Sequence, residues 1–218
     1  MLQQRISMLK RINGREVLLE QFGVDGGFVN VELEFLDLSG IDLSGLDLSH
    51  MTFSGCLLRG AVLEGCRLKG MFSQDSDFTG ASFKESLMDE IFVQRANMEQ
   101  CTFDGVNMRA ASLFLSKMAG ASVRNADLSD SNLQGTQLQN VDFTDSNLDG
   151  VSLKETSIEG AKFIRTNLNR IDLRKTNLHD ATYKDVQAVD AVYYGKSPWS
   201  KSGVDVDLKE KLVVFDGE

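Results

Sequence analysis

Residues 126–150 read ADLSD SNLQG TQLQN VDFTD SNLDG, five blocks of five built to one plan. The third residue of each block is large and apolar: Leu128, Leu133, Leu138, Phe143 and Leu148. The first is small or β-branched: Ala126, Ser131, Thr136, Val141 and Ser146. Stepping outward by fives, the third position stays apolar from Leu33 to Tyr183 with one exception, Ser73. The first-position column, Val31 to Ala181, carries no charge and narrows along the chain from Val, Leu and Ile to mostly Ala, Ser, Thr and Val. The second position is often Asp or Asn (Asp37, Asp42, Asn97, Asn167), and the fifth is often Gly (Gly40, Gly60, Gly150). The register never slips, so about 155 residues form one uninterrupted array.

A period of five fits neither regular element. Successive steps of five on a helix advance 500° and spread the apolar residues around the axis, and a plain strand needs a period of two. What fits is a short extended piece followed by a turn. The first and third residues point to one side, as alternate strand residues do, and Gly, Asn and Asp supply the turn. A chain that bends a quarter-turn every five residues closes a coil after four units.

Units such as Ala126-Asp127-Leu128-Ser129-Asp130 and Ser146-Asn147-Leu148-Asp149-Gly150 resemble the A(D/N)LxX signature of pentapeptide-repeat proteins. The resemblance covers residues 31–185. It implies an all-β fold, a right-handed quadrilateral β-helix with four faces and twenty residues per coil. Its first and third residues would point inward. The array then makes about eight coils, a rod roughly 37 Å long at about 4.8 Å per coil. Residues 1–30 are expected to form an N-terminal cap and residues 186–218 a C-terminal cap or dimerisation tail. Within them LQQRISMLKR (2–11) reads as a short helix, Glu16–Phe22 as a strand, and Leu208–Phe215 as a short helix or strand. Ala188 and Tyr193 extend the register weakly.

Composition narrows the function classes. The chain has 218 residues, 42% apolar and 25% charged, with a net charge of −9. So acidic a chain is a poor ligand for phosphate backbones, and direct nucleic-acid binding is not expected. No run of eighteen apolar residues exists, so no membrane span is expected, and MLQQRISMLKR (1–11) lacks an apolar h-region, so it is not expected to act as a secretory signal. The compartment expected is the cytoplasm, with a secreted effector carrying a non-cleaved signal as the alternative. Cys56, Cys66 and Cys101 all fall in the first-position column and read as buried fillers in a reducing compartment. His50 and His179 lie on different faces, about six coils apart, too far to share a metal or a proton. Gly195-Lys196-Ser197 lacks the upstream glycine of a phosphate loop, since residue 190 is Asp. No catalytic residue, metal ligand or cofactor is expected, because a filled core offers no cleft in which to desolvate a carboxylate.

The outward positions hold one departure from polarity. On the face that includes residues 71–75, 91–95 and 111–115, the candidate partner-contact patch is Phe72, Phe92, Phe114 and Leu115. Clustered exposed aromatics mark contact surfaces. Polar Ser73 lies beneath them, which suggests a local bulge. The expected function is a non-enzymatic protein-interaction module or scaffold with an unidentified protein partner, its leading form being self-association as a homodimer. The resemblance also implies an alternative, because one branch of the family imitates duplex DNA. On that reading the chain binds DNA gyrase or topoisomerase IV, as an inhibitor or a quinolone protector. Residues 31–190 carry −9, spread over the four faces as −1, −3, −2 and −3.

Overall fold

The computed structural model describes residues 10–23, 27–178 and 181–193. From Val31 onward the chain winds as a parallel β-helix of about eight turns, and each residue pairs with the one twenty places later. Pairings run from Asp37 with Leu57 to Asp172 with Val192. Coil 1 is therefore residues 31–50, coil 2 residues 51–70, and so on to coil 8, residues 171–190. Face 1 is the first unit of every coil, and faces 2, 3 and 4 follow.

The third-position residues are buried without a break from Leu33 to Leu178. Leu128, Phe143 and Leu173 expose at most 1% of their surface. The first-position column lines the same interior, from Val31 and Met51 to Ile171. On face 3 the large residues stack as ring ladders: Phe83 on Phe103 at 5.1 Å, Phe143 on Phe163 at 5.3 Å, and Phe163 on Tyr183 at 5.2 Å.

Each residue type in the repeat has a task. The second-position carboxylate or amide accepts the N–H two residues on and so closes an Asx turn: Asp77 from Thr79 (3.0 Å), Asn132 from Gln134 (3.0 Å), Asp172 from Arg174 (3.0 Å). The fifth residue makes the corner. Every described fifth residue from Asn30 to Asp190 has φ between +51° and +71°, glycine or not. The small hydroxyls of the first column serve the interior. Ser76 Oγ accepts the Cys56 N–H (3.2 Å) and donates to the Phe53 carbonyl (3.1 Å), and Ser131 Oγ joins Ala111 N–H to the Met108 carbonyl in the same way (3.0 and 2.7 Å). The column narrows to Ser and Thr because these backbone groups have no water to turn to.

The regular strands are short. Face 1 carries β2 (Glu32–Glu34), β4 (Thr52–Ser54), β5 (Phe72–Gln74) and β6 (Phe92–Gln94), a four-stranded parallel sheet in that order. On face 2, β1 (Lys10–Arg11) pairs in parallel with β3 (Leu36–Asp37), and on face 3, β7 (Lys162–Ile164) pairs with β8 (Thr182–Lys184). Ser73 sits in register between Phe53 and Val93, so the sheet does not bulge there as the sequence suggests. On the adjacent face of coil 3 the Phe78 ring meets Phe53 at 6.1 Å and Phe83 at 5.6 Å.

The N-terminal segment differs from expectation in detail. Arg15–Phe22 is a helix, α1, not a strand, and Lys10–Arg11 is a strand, not the end of a helix. In EVLLEQF the apolar residues Leu18 and Phe22 are four apart, a helical spacing as good as the strand reading of so short a run. Ile12, Leu18 and Phe28 are buried against the first coil and continue its core. At the other end Ala191 and Tyr193 are buried, and Val192 pairs with Asp172. Residues 2–9 of the first segment, His179, Gly195–Ser197 and the segment 208–215 lie outside the described residues.

Two serines one turn-step apart predict opposite outcomes. Ser76→Ala strips an interior N–H and a carbonyl of their partner and lowers stability by about 2 kcal/mol. Ser73 Oγ is buried with no hydrogen-bond partner, so Ser73→Ala raises stability by about 1 kcal/mol. Urea titrations followed by circular dichroism measure both, and equal effects contradict this assignment.

Candidate interaction surface

Cys56, Cys66 and Cys101 are buried and donate their thiols to the carbonyls of Leu33 (3.3 Å), Leu43 (3.1 Å) and Phe78 (2.9 Å). Burial pushes the Cys56 thiol up to about 11 and that of Cys101 to about 12, so both stay protonated. Among the described residues no group of three or more His, Cys, Asp or Glu side chains is placed to hold a metal ion. Nor, among the described residues, is any helix long and apolar enough to cross a membrane. His50 is exposed at a corner, its ring lying over Gly70.

The outer surface is a lattice of ion pairs between coils. Arg95 grips Asp75 with two hydrogen bonds of 2.8 Å, and Arg165 grips Asp145 with two of 2.6 Å. Arg124 holds Asp142 (2.7 Å), Arg170 holds Asp149 (2.7 Å), Arg59 holds Asp77 (2.7 Å), and Lys175 holds Glu155 (2.9 Å). Much of the acidic charge is thus neutralised where it stands. Asp142 shows the balance of forces. Partial burial opposes its ionisation, but the Thr144 hydroxyl, the Arg124 guanidinium and the Thr144 N–H outweigh it and hold the carboxyl below its usual range. Asp77 and Asp172 are held down in the same manner.

Face 1 stands apart. Phe72 and Phe92 stack at 5.6 Å with planes 2° apart, and their backbones pair directly in the sheet. The stack half-buries Phe72, yet Phe92 remains 42% exposed. Phe114 is half-buried and Leu115 is 48% exposed on the next coil. The structure therefore brings all four sequence candidates onto one face across three successive coils. It adds a fifth that the sequence reading missed: Phe35, 55% exposed, at the corner of coil 1 on the same face. Phe35 was legible, since extending the face back two coils reaches it. Corner side chains lie toward the next coil, where glycine leaves room. A methyl group at Gly55 would come within 2.7 Å of the Phe35 ring, and one at Gly135 within 2.8 Å of Leu115. Down this corner the residues run Phe35, Gly55, Asp75, Arg95, Leu115, Gly135.

The depressed carboxyls predict an acid limb of instability. A folded-state value below the unfolded value of about 3.9 stabilises the fold above that pH and is lost as the carboxyls protonate below it. The urea midpoint should hold between pH 6 and 8 and fall below about pH 4, and Asp142→Asn should shrink that fall. An acid limb unchanged in the variant contradicts the assignment.

Comparison with known proteins agrees with this geometry. The profile described as pentapeptide repeat region matches residues 92–163, and that of pentapeptide repeats (8 copies) matches residues 37–70, 56–90 and 152–182. No curated protein sequence matches the chain. Among solved structures it is similar to a trypsin-treated variant of QnrB1, a plasmid-mediated fluoroquinolone resistance protein. The TM-score is 0.69 at 16% identity, covering 83% of this chain and 92% of that one. Full-length QnrB1 gives 0.65 at 16% identity, covering 82% and 89%. Rfr23 of the cyanobacterium Cyanothece 51142 gives 0.48 at 21%, covering 50% and 89%. At such identities QnrB1 testifies to the fold alone. With its five-residue register, its twenty-residue coil and both repeat profiles in agreement, the chain belongs to the pentapeptide-repeat family.

Proposed function

We propose that the rod is a non-enzymatic protein-interaction module that docks through face 1. The observation that carries this reading is the clustering of Phe35, Phe92 and Leu115, all more than two-fifths exposed, on one face of a rod whose other outward positions are mostly polar or charged. Exposed aromatic rings lose surface to water on docking, whereas the stack with Phe72 already gives Phe92 all the contact the monomer offers. The backbone beneath is rigid, since the sheet is hydrogen-bonded on both sides and Leu33, Phe53 and Val93 anchor it in the core. Docking thus costs little ordering.

Duplex mimicry directed at gyrase or topoisomerase IV has the rod shape and the acidic charge in its favour, and charge density against it. B-DNA carries one charge per about 1.7 Å, whereas nine net charges over roughly 37 Å is one per about 4 Å. The cross-coil arginines dilute the field further.

Two measurements test these readings. A protein retained by the immobilised chain should bind at least about tenfold more weakly to the triple variant Phe72→Ser, Phe92→Ser, Phe114→Ser, whose circular dichroism stays native. Leu87→Ser on face 4 serves as the control, and equal binding by the triple variant overturns the face 1 reading. Gyrase supercoiling should be unaffected by micromolar excess of the protein, and inhibition or quinolone protection would reinstate the mimic.

A further inference from the structure

We infer that the partner of face 1 is a second copy of this chain, packed antiparallel about a two-fold axis that passes between coils 3 and 4. This rests on the face 1 reading and names its occupant. The argument is self-complementarity. For two rods laid face to face, a two-fold axis in the contact plane and perpendicular to the rods reverses the order of coils but keeps each column of residues in its own lane. With the axis between coils 3 and 4, coil 3 meets coil 4, coil 2 meets coil 5 and coil 1 meets coil 6.

In the second-position lane this register lays Phe72 on the partner's Phe92 and Phe92 on the partner's Phe72, joining two exposed stacks into one. In the corner lane Asp75 meets the partner's Arg95 and Arg95 the partner's Asp75. The two ion pairs, each already formed within a rod, then make a square of alternating charge. The Phe35–Gly55 step meets the partner's Gly135–Leu115 step, so the two exposed apolar corner residues cover each other. In the fourth-position lane Gln74 meets the partner's Gln94 and Ser54 meets the partner's Phe114. Glu32 and Glu34, exposed at the end of the sheet, meet the amides Asn132 and Gln134. No like charges meet in any of the six coil pairs.

Neighbouring registers fail this test. An axis through coil 3 sets Asp75 against itself. One through coil 4 sets Phe35 against Glu155 and Asp75 against Leu115, and one between coils 4 and 5 sets Glu32 against Asp172. Parallel rods would reverse the lanes and bring Glu32 to the partner's Glu34. Six coils at about 4.8 Å by a face about 12 Å wide bury roughly 350 Å² per copy, small beside the ~800 Å² of a standard interface, so the dimer is weak and reversible.

The experiment is sedimentation equilibrium of the full chain from micromolar to about millimolar concentration. The wild type should rise from its monomer mass of 24.1 kDa toward twice that. Asp75→Arg and Arg95→Asp each place four like charges at the two-fold and should stay monomeric, with native circular dichroism. An equimolar mixture of the two variants restores every cross-pair and should associate at least as tightly as wild type, a rescue that the register with residue 75 facing residue 95 requires. A wild type that dimerises while the mixture does not overturns the register. A wild type monomeric throughout overturns self-association, and the face 1 reading then stands or falls separately on the Phe-to-Ser variants against a different retained protein.

Discussion

The corner residue is the constraint on which the rest of this structure depends. A chain can hold a square coil only if one residue in five enters the left-handed region, and here every described corner does. Outside glycine and asparagine or aspartate that conformation costs about 1–2 kcal/mol. Yet Phe35, Glu85, Arg95, Ala110 and Leu115 all adopt it. The compensation lies between coils. The corner N–H bonds to the next coil's carbonyl, as Glu85 does to Asp104 (2.9 Å) and Ala110 to Ser129 (3.0 Å). No corner is stable alone, and each is held by its neighbour in the stack, which is why such arrays behave as sums of nearest-neighbour terms.

From the corner follows the division between interior and surface. In the described coils two of every five side chains enter a bore that they fill. Thiols that do lie inside are locked to carbonyls and kept protonated. The surface that the described coils present is made by the three outward positions of each unit, in patterns that repeat every twenty residues.

The architecture was legible because the period is one-dimensional. The sequence separation of five translates into inside and outside, and the separation of twenty into contact, without any tertiary fold to guess. Phe72 above Phe92 follows from arithmetic, and the 5.6 Å stack obeys it. What escaped was the non-periodic part. Glu16–Phe22 is too short for period alone to tell helix from strand, and packing of Leu18 against the first coil decides it. The tasks of the small column also escaped. Ser76 and Ser131 look like mere fillers beside Ala81 and Ala121, and only the coil-to-coil geometry shows that they complete backbone hydrogen bonds. Ser73 misled in the other direction, since the strand stays in register through it, paired between Phe53 and Val93.

Periodicity also explains why face 1 can be a recognition surface at all. In most units the turn is closed by its own backbone, as Ile41 N–H closes onto the Leu38 carbonyl at 3.1 Å. After β4 and β6 the next N–H goes instead to a serine hydroxyl, Cys56 to Ser76 and Ala96 to Ser116, both at 3.2 Å. The same hand-over follows units with single bridges, Cys66 to Ser86 and Ala111 to Ser131, both at 3.0 Å, so it does not by itself set strand length; on face 1 four units in succession pair through three residues each, where the other faces carry mostly single bridges. A flat, rigid strip displays side chains in straight lanes at a fixed spacing. Straight lanes are what allow one rod to be read by another reversed upon it, because a match at one coil is carried to the next without correction.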